Sequence, residues 1–197
     1  DFVIFFQTVN PNIPIQTKKT ILLQMEDQYQ KNNKVYIDLR NQVDHIWGFD
    51  IFNPYEEFIY LGYHPLFDFS IQKLPIKDIT ILGKPNTKKR EHYVTTYGID
   101  YVEEWDTRKK IELLRDYKIT VHFHAFTETR FTPWDRLSLF LSNKVFSILE
   151  ECYVPSELQK IVMSKIEEFP QTCHNYLDKD ILRTQIVEEL YSTWKDK

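Results

Sequence analysis

Short apolar runs alternate with polar, helix-like segments along the second half of the chain. The runs at 79–82, 99–103, 118–124 and 145–149 have the length and flanks of buried strands. Because a right-handed crossover helix normally joins neighbouring parallel strands, this alternation predicts βαβ units. The predicted fold class is α/β, a Rossmann-like open parallel sheet with helices on both faces.

Capping residues mark the helices between these runs. Asp106 or Thr107 is the predicted N-cap of the second helix. Thr132 is the predicted N-cap of the third, with Pro133 at its first position. The predicted helices span residues 86–97, 106–116, 132–142, 155–169 and 178–194.

The start of the chain has a similar pattern on a smaller scale. Phe2–Phe6, Thr20–Gln24 and Asp44–Phe49 are strand-like, and Asn53-Pro54 opens a short predicted helix. We therefore predict a partial N-terminal α/β portion with a linker at 1–65, followed by a Rossmann-like domain at 66–197. The start at Asp1, without a methionine, suggests a domain cut from a longer polypeptide.

Charged and polar side chains that could bind a ligand lie at or near the ends of predicted strands. His124 ends one strand, Glu150 follows the next, and Arg136 lies early on the helix between them. In an open α/β sheet, ligands bind in the crevice at the carboxyl ends of the strands. An imidazole, a guanidinium and a carboxylate on one rim indicate a site for a phosphorylated or nucleotide-linked ligand.

Composition narrows the function classes. A hydrophobic fraction of 42% supports a packed core, and a net charge of −4 argues against a dedicated nucleic-acid binder. Cys152 and Cys173 lack metal-ligand spacing, which is typical of two free thiols in a reducing compartment. No apolar run approaches the ~18 residues of a membrane span, and no signal peptide opens the chain. The predicted location is cytoplasmic.

Five stretches follow one another in an order and spacing that carry more information than any one of them. They are Ile21–Gln28, Asp44–Asn53 with Tyr60–Tyr63, Ile79–Asn86 with Lys88–Arg90, Lys118–His124, and Arg136 through Asn143 to Glu150. Together with the closing helices, they resemble the C-terminal, nucleotide-sugar-binding half of GT-B fold glycosyltransferases of the small bacterial and viral type. The resemblance implies a metal-independent enzyme with no cofactor, whose donor substrate is a nucleotide-diphosphate sugar.

The donor diphosphate needs hydrogen-bond donors and positive charge, and four residues are candidates. A turn at Gly83 lets the backbone approach closely, and the next helix offers its N-terminus. Lys88 and Arg90 add charge there, and the planar guanidinium of Arg136 suits a phosphate. The alternatives are a tight turn with a solvated basic helix, and a surface ion pair of Arg136 with Asp135 or Glu128.

The remaining candidates are assigned to the ribose and to catalysis. Glu150 resembles the carboxylate that holds ribose hydroxyls in similar proteins, with Glu151 as the competing assignment. His124 is a candidate donor to a sugar hydroxyl or phosphate, or a satisfied structural histidine. His122 is expected on the opposite face of the strand. Glu26, after the second predicted strand, is a candidate general base.

The expected partners are a nucleotide sugar, a glycan or small hydroxyl acceptor, and either a second copy of the chain or a partner domain. Trp105 falls at the expected rim and is a candidate for stacking on a base. Pro133 stands where similar proteins often have Glu, and this departure supports an alternative, a non-catalytic nucleotide-sugar-binding or assembly module. A Rossmann-like binder of another ligand is disfavoured because the chain lacks G-x-G-x-x-G.

Overall fold

The computed structural model of the chain consists of two compact units, residues 1–60 and 61–197. The predicted division was 1–65 and 66–197. Glu26 and the helix predicted at Asn53-Pro54 lie outside the residues that the structure describes. The described residues are 2–6, 19–24, 37, 41, 43–48, 57–58, 62–125 and 132–196.

The first unit contains a four-stranded parallel sheet. Asp44, just before its third strand, accepts hydrogen bonds from the backbone N and the hydroxyl of Thr20, at 2.7 and 3.0 Å, and so joins two strands. All three strands predicted in this part are confirmed. In spatial order the strands are β1 (Phe2–Phe6), β2 (Lys19–Gln24), β3 (His45–Gly48) and β4 (Glu57–Phe58).

The second unit is built on a five-stranded sheet, all of it parallel, as predicted. Its spatial order is β6-β5-β7-β8-β9, one of the common orders of doubly wound α/β sheets. The chain leaves β5 for one edge and then crosses back to β7, so the switch point lies between β5 and β7. The strands are β5 (Lys77–Leu82), β6 (Asp100–Val102), β7 (Tyr117–His122), β8 (Ser147–Glu150) and β9 (Val162–Ser164).

Helices cover both faces of this sheet. Ile81 packs in a cluster with α1 and α4, whereas the adjacent Leu82 packs with α2 and α3, because successive strand residues point to opposite faces. Within the described ranges, no helix is both long and apolar enough to cross a membrane. The helices are α1 (Lys88–Tyr97), α2 (Thr107–Leu114), α3 (Trp134–Ser142), α4 (Phe169–Leu177) and α5 (Asp180–Lys195).

Of the two predicted N-caps, that of α2 is confirmed and that of α3 is wrong. Asp106 caps α2, and its carboxylate accepts from the backbone N of Lys109 at 2.8 Å, as predicted. The predicted cap of α3 was wrong. Pro133 occupies the N-cap position, and the buried Thr132 donates its hydroxyl to the carbonyl oxygen of Tyr153 instead. That bond removes the side chain that would have capped the helix.

The helix predicted at 155–169 was also wrong. A short 3-10 turn at Ser156–Leu158 leads into β9, which pairs with β8 at the edge of the sheet. The spacing of apolar residues fits a helix, but the β-branched Ile161 and Val162 suit a strand, and the edge of β8 supplies its hydrogen bonds. The helix begins instead at Phe169, with Pro170 in its first turn, where proline is tolerated.

The C-terminal helix α5 is fixed to α3 by two tryptophans. Trp134 and Trp194 are buried and stack with ring centroids 6.2 Å apart. The indole N–H of Trp194 also donates to the hydroxyl of Ser142 at 3.1 Å. The helix predicted at 178–194 is confirmed by this packing, and it closes one side of the unit.

Gly98 provides a test of how α1 ends. It adopts left-handed geometry, with φ 60° and ψ 39°, and its N–H reaches the carbonyls of the last turn. A Cβ there would meet no atom within 4 Å, so a substitution acts through the backbone alone. We expect Gly98→Ala to lower the free energy of unfolding by about 1 kcal/mol in urea denaturation. Thr96→Ala, in the last turn of the same helix, should cause no loss. Parent-like stability of Gly98→Ala would contradict the argument.

Candidate functional site

The turn after β5 brings Gly83 against Arg136. Gly83 has φ +86°, a conformation that favours glycine, and its N–H donates to the carbonyl of Val102 at 2.8 Å. A Cβ at this position would lie 3.9 Å from Nη2 of Arg136. Two residues predicted to bind phosphate, from β5 and α3, are therefore neighbours at the switch point.

Arg90 points from the first turn of α1 into the same region. Only 9% of the residue is exposed. Its Nε donates to the carbonyl of Phe123 at 2.9 Å, and Nη1 donates to the side-chain oxygen of Asn86 at 3.1 Å. Burial lowers the pKa of Arg90 to about 10, and the charge of Arg136 acts in the same direction. The guanidinium still carries its charge at neutral pH.

Arg136 reaches the sheet from the first turn of α3. Its Nη1 donates to Nδ1 of His122 at 3.2 Å, and burial lowers the pKa of Arg136. Across the described parts of the chain, no carboxylate lies within 4.0 Å of either Arg90 or Arg136. Asp135 forms no ion pair with Arg136, although its charge raises the pKa of Arg136, and Glu128 lies outside the described residues.

His122, the last residue of β7, and His124, two residues beyond it, lie side by side. The prediction that His122 faces away from His124 was wrong, because residues two apart in a strand share a face. Their rings are perpendicular, with centroids 5.6 Å apart, and both residues are buried. Burial, with the nearby charge of Arg136, holds the pKa of His122 well below its ordinary value. Burial also lowers the pKa of His124, and its Nε2 lies 3.2 Å from the carbonyl oxygen of Glu151.

Glu150 is held by three hydrogen bonds at the end of β8. Its two oxygens accept from Nζ of Lys89 at 2.6 and 2.9 Å, and Oε2 accepts from the backbone N of His124 at 2.9 Å. Only 6% of the residue is exposed. The carboxylate therefore links α1 to the ends of β7 and β8, while Glu151 beside it is exposed.

The sequence prediction chose Lys88 and missed Lys89. Lys88 is exposed, and Lys89 makes the buried ion pair. The spacing along the helix could have indicated Lys89. It lies four residues before Tyr93 and eight before Tyr97, on the same face of the helix, and both tyrosines pack against the core. The residue that shares the apolar face of a helix is the one that reaches the sheet.

The charges of this cluster leave it cationic. The ion pair of Lys89 with Glu150 is neutral, and neither Arg90 nor Arg136 forms an ion pair with a described carboxylate, although the charge of Asp135 acts on both. A buried charge is costly unless it is paired, and a bidentate anion such as phosphate matches a guanidinium. We call Gly83, Arg90, His122 and Arg136 the arginine cleft. Among the described residues, no group of three or more His, Cys, Asp or Glu side chains could hold a metal ion.

A depression of about 470 Å³ lies between the turn at 156–160 and α5. Its lining includes Lys160 and Glu189, which pair with each other at the surface. The arginine cleft lies elsewhere, at the carboxyl ends of β5 and β7. We therefore place the candidate site in the arginine cleft and not in this depression.

No model of a known protein family matches this chain, and no curated protein matches it significantly. The fold assignment rests on the strand order and pairing of the sheet. The functional assignment rests on the geometry and charge of the arginine cleft.

The pair of Lys89 with Glu150 can be tested by removing only the cation. Lys89→Met leaves a buried carboxylate without its cation, so we expect the free energy of unfolding to fall by about 2–3 kcal/mol. Adding Glu150→Gln should recover part of this loss, because the amide oxygen still accepts from the N–H of His124. Lys88 is the adjacent residue of α1 and is exposed, so Lys88→Met should change the free energy of unfolding by less than about 0.5 kcal/mol. Equal unfolding curves for the two lysine variants would rule out the pair.

The buried histidines predict a pH dependence of stability. The unfolded chain takes up protons near the ordinary pKa of 6.5, whereas the folded chain does not until lower pH. The free energy of unfolding should therefore fall as the pH drops below about 6.5, by at most about 1.4 kcal/mol per pH unit for each histidine. Urea denaturation of His122→Gln between pH 7.5 and 5.5 should show a shallower dependence than the parent. His92→Gln, on the exposed face of α1, is the matched control. An unchanged slope in His122→Gln would contradict this assignment.

Proposed function

We propose that residues 61–197 form the nucleotide-sugar-binding domain of a GT-B type glycosyltransferase. The enzyme transfers a sugar from a nucleotide-diphosphate sugar to a hydroxyl of a glycan or small acceptor. The order and spacing of the five resembling stretches support this proposal, and so does the parallel sheet with its cleft at the switch point.

The observation that carries the proposal is the pair of guanidiniums in the arginine cleft. Arg90 and Arg136 lie beside the Gly83 turn, and neither has a described carboxylate partner. A diphosphate supplies the missing negative charge, with oxygens that accept from both side chains. This ligand offsets the cost of holding two guanidiniums close together in a partly buried site.

Sugar transfer requires stabilisation of the departing diphosphate. As the bond between the sugar and the diphosphate breaks, negative charge grows on the diphosphate oxygens. Donors already fixed in a site of restricted solvent stabilise that charge without reorganising. Arg136 is fixed by its bond to His122, and Arg90 by its bonds to Phe123 and Asn86. In the proposed reaction, these two residues stabilise the leaving group.

The catalytic roles of His124 and Glu26 stay predictions. The imidazole of His124 belongs to a residue that is 2% exposed, and Nε2 is engaged with the carbonyl of Glu151. Proton transfer by this ring would require a substrate to displace that contact. For His124, a role in binding is therefore better supported than a role in catalysis.

A second candidate is a non-catalytic module that binds a nucleotide sugar. The burial and internal bonds of His124 and Glu150 favour it, since the ring of His124 contacts the carbonyl oxygen of Glu151 and Glu150 accepts from Lys89 and from the backbone N of His124. Pro133, where similar proteins often have Glu, also favours it. The two candidates share the cleft and differ in turnover. Binding of a nucleotide sugar without hydrolysis or transfer would select the module.

Both candidate functions require that the arginine cleft binds a diphosphate. Calorimetry with uridine, guanosine and their diphosphates tests this requirement. We expect both diphosphates to bind more tightly than the nucleosides, because the cleft contacts the phosphates. Arg136→Ala should weaken diphosphate binding by about 1.5–3 kcal/mol, the range for a hydrogen bond to a charged group.

The matched control is Arg108→Ala. Arg108 is exposed on α2 and pairs with Glu112, so its loss should leave binding unchanged. Equal affinities for nucleosides and diphosphates, or parent-like binding by Arg136→Ala, would remove the cleft from the proposed site.

A further inference from the structure

Trp105 is a large apolar side chain that the second unit leaves in solvent. It is 90% exposed, whereas Trp134 and Trp194 are 1% and 0% exposed. Tryptophan is highly buried on average, so an indole presented to water at the end of a strand has no role in the packing of this unit. Its flat face is open to a ligand.

The segment that carries Trp105 starts beside the arginine cleft. The N–H of Gly83 donates to the carbonyl of Val102, which ends β6. Trp105 follows Val102 by three residues, which span at most about 10 Å. Because Arg136 lies against Gly83, the backbone of Trp105 follows directly from the strand end that borders the cleft.

The backbone around Trp105 is held in place. The carboxylate of Glu104 accepts from the backbone N of Trp105 at 2.8 Å and from that of Asp106 at 3.0 Å. Asp106 in turn caps α2. These bonds fix the loop without using the indole, and fixed geometry reduces the entropy that a binding side chain loses.

Glu103 completes the rim at the end of β6. It is exposed, and no hydrogen bond or ion pair to another described residue engages its carboxylate. It follows Gly83 by about 20 residues and comes directly after the second strand of the sheet, where an acid accepts from ribose hydroxyls in dinucleotide-binding α/β units. Glu150, the earlier candidate for the ribose, is buried and already accepts three hydrogen bonds.

We infer that the nucleoside of the donor lies over the end of β6, with its base stacked on Trp105 and its ribose hydroxyls bound by Glu103. The diphosphate then lies in the arginine cleft. This inference rests on the proposed function. It adds the orientation of the bound donor, whose nucleoside extends toward β6 and away from β8.

The test uses uridine diphosphate, guanosine diphosphate and pyrophosphate as probes in calorimetry on the whole chain. Trp105→Ala should weaken both nucleoside diphosphates about tenfold, since stacking on one base is worth about 1–3 kcal/mol, and leave pyrophosphate binding unchanged. Trp105→Phe should retain most of the affinity. Ile181→Ala removes a 77% exposed apolar side chain from α5 and should bind all three probes like the parent.

The ribose contact is tested with the 2′-deoxy forms of the two diphosphates. The parent should prefer the ribonucleotides, and Glu103→Ala should reduce that preference several-fold. Glu150→Gln, which keeps an oxygen acceptor for the N–H of His124, should not reduce it. The opposite result, with the preference lost in Glu150→Gln alone, overturns the ribose contact.

The outcomes separate the inference from the proposed function. If Arg136→Ala weakens all three probes while Trp105→Ala binds them like the parent, the nucleoside subsite is wrong and the diphosphate site stands. If the parent binds neither pyrophosphate nor the nucleoside diphosphates, both are overturned. Loss of nucleoside diphosphate binding alone in Trp105→Ala, with rescue by Trp105→Phe, supports the subsite.

Discussion

The carboxylate of Glu150 is the contact on which the arrangement of the second unit depends. It binds Lys89 of α1 through both oxygens and the backbone of His124 through one of them. One side chain thus fixes a helix and two strand ends relative to each other, and it does so where only 6% of the residue is exposed. In that environment a lost partner is not replaced by water, which makes the contact strongly constraining.

This pairing also determines the charge of the cleft beside it. Because Glu150 is taken by Lys89, it does not pair with Arg90 or Arg136, which bind only carbonyl, amide and imidazole acceptors among the described residues. These acceptors satisfy hydrogen bonds without cancelling charge. The cleft is therefore electropositive, which favours an anionic ligand over a neutral one.

The sequence by itself determined the parallel sheet and some of the side chains that gather at its end. Four apolar runs separated by helical segments were enough to predict parallel strands, because period and length are local properties of the chain. Strand ends also indicated which side chains gather at the rim, and Gly83 and Arg136 do meet there. The strand order lay beyond such local patterns, since it depends on which strand edges pair across long separations.

Only the tertiary structure decided where each side chain points and what it meets. Residues 155–169 have helical spacing, yet the free edge of β8 draws Val162–Ser164 into the sheet. Lys89 reaches Glu150 while Lys88 stays in solvent, because the packing of α1 sets which side of the helix faces the strands. Local patterns determine which elements form, whereas hydrogen bonds and ion pairs between distant residues determine the site, because their energies exist only once the elements are packed together.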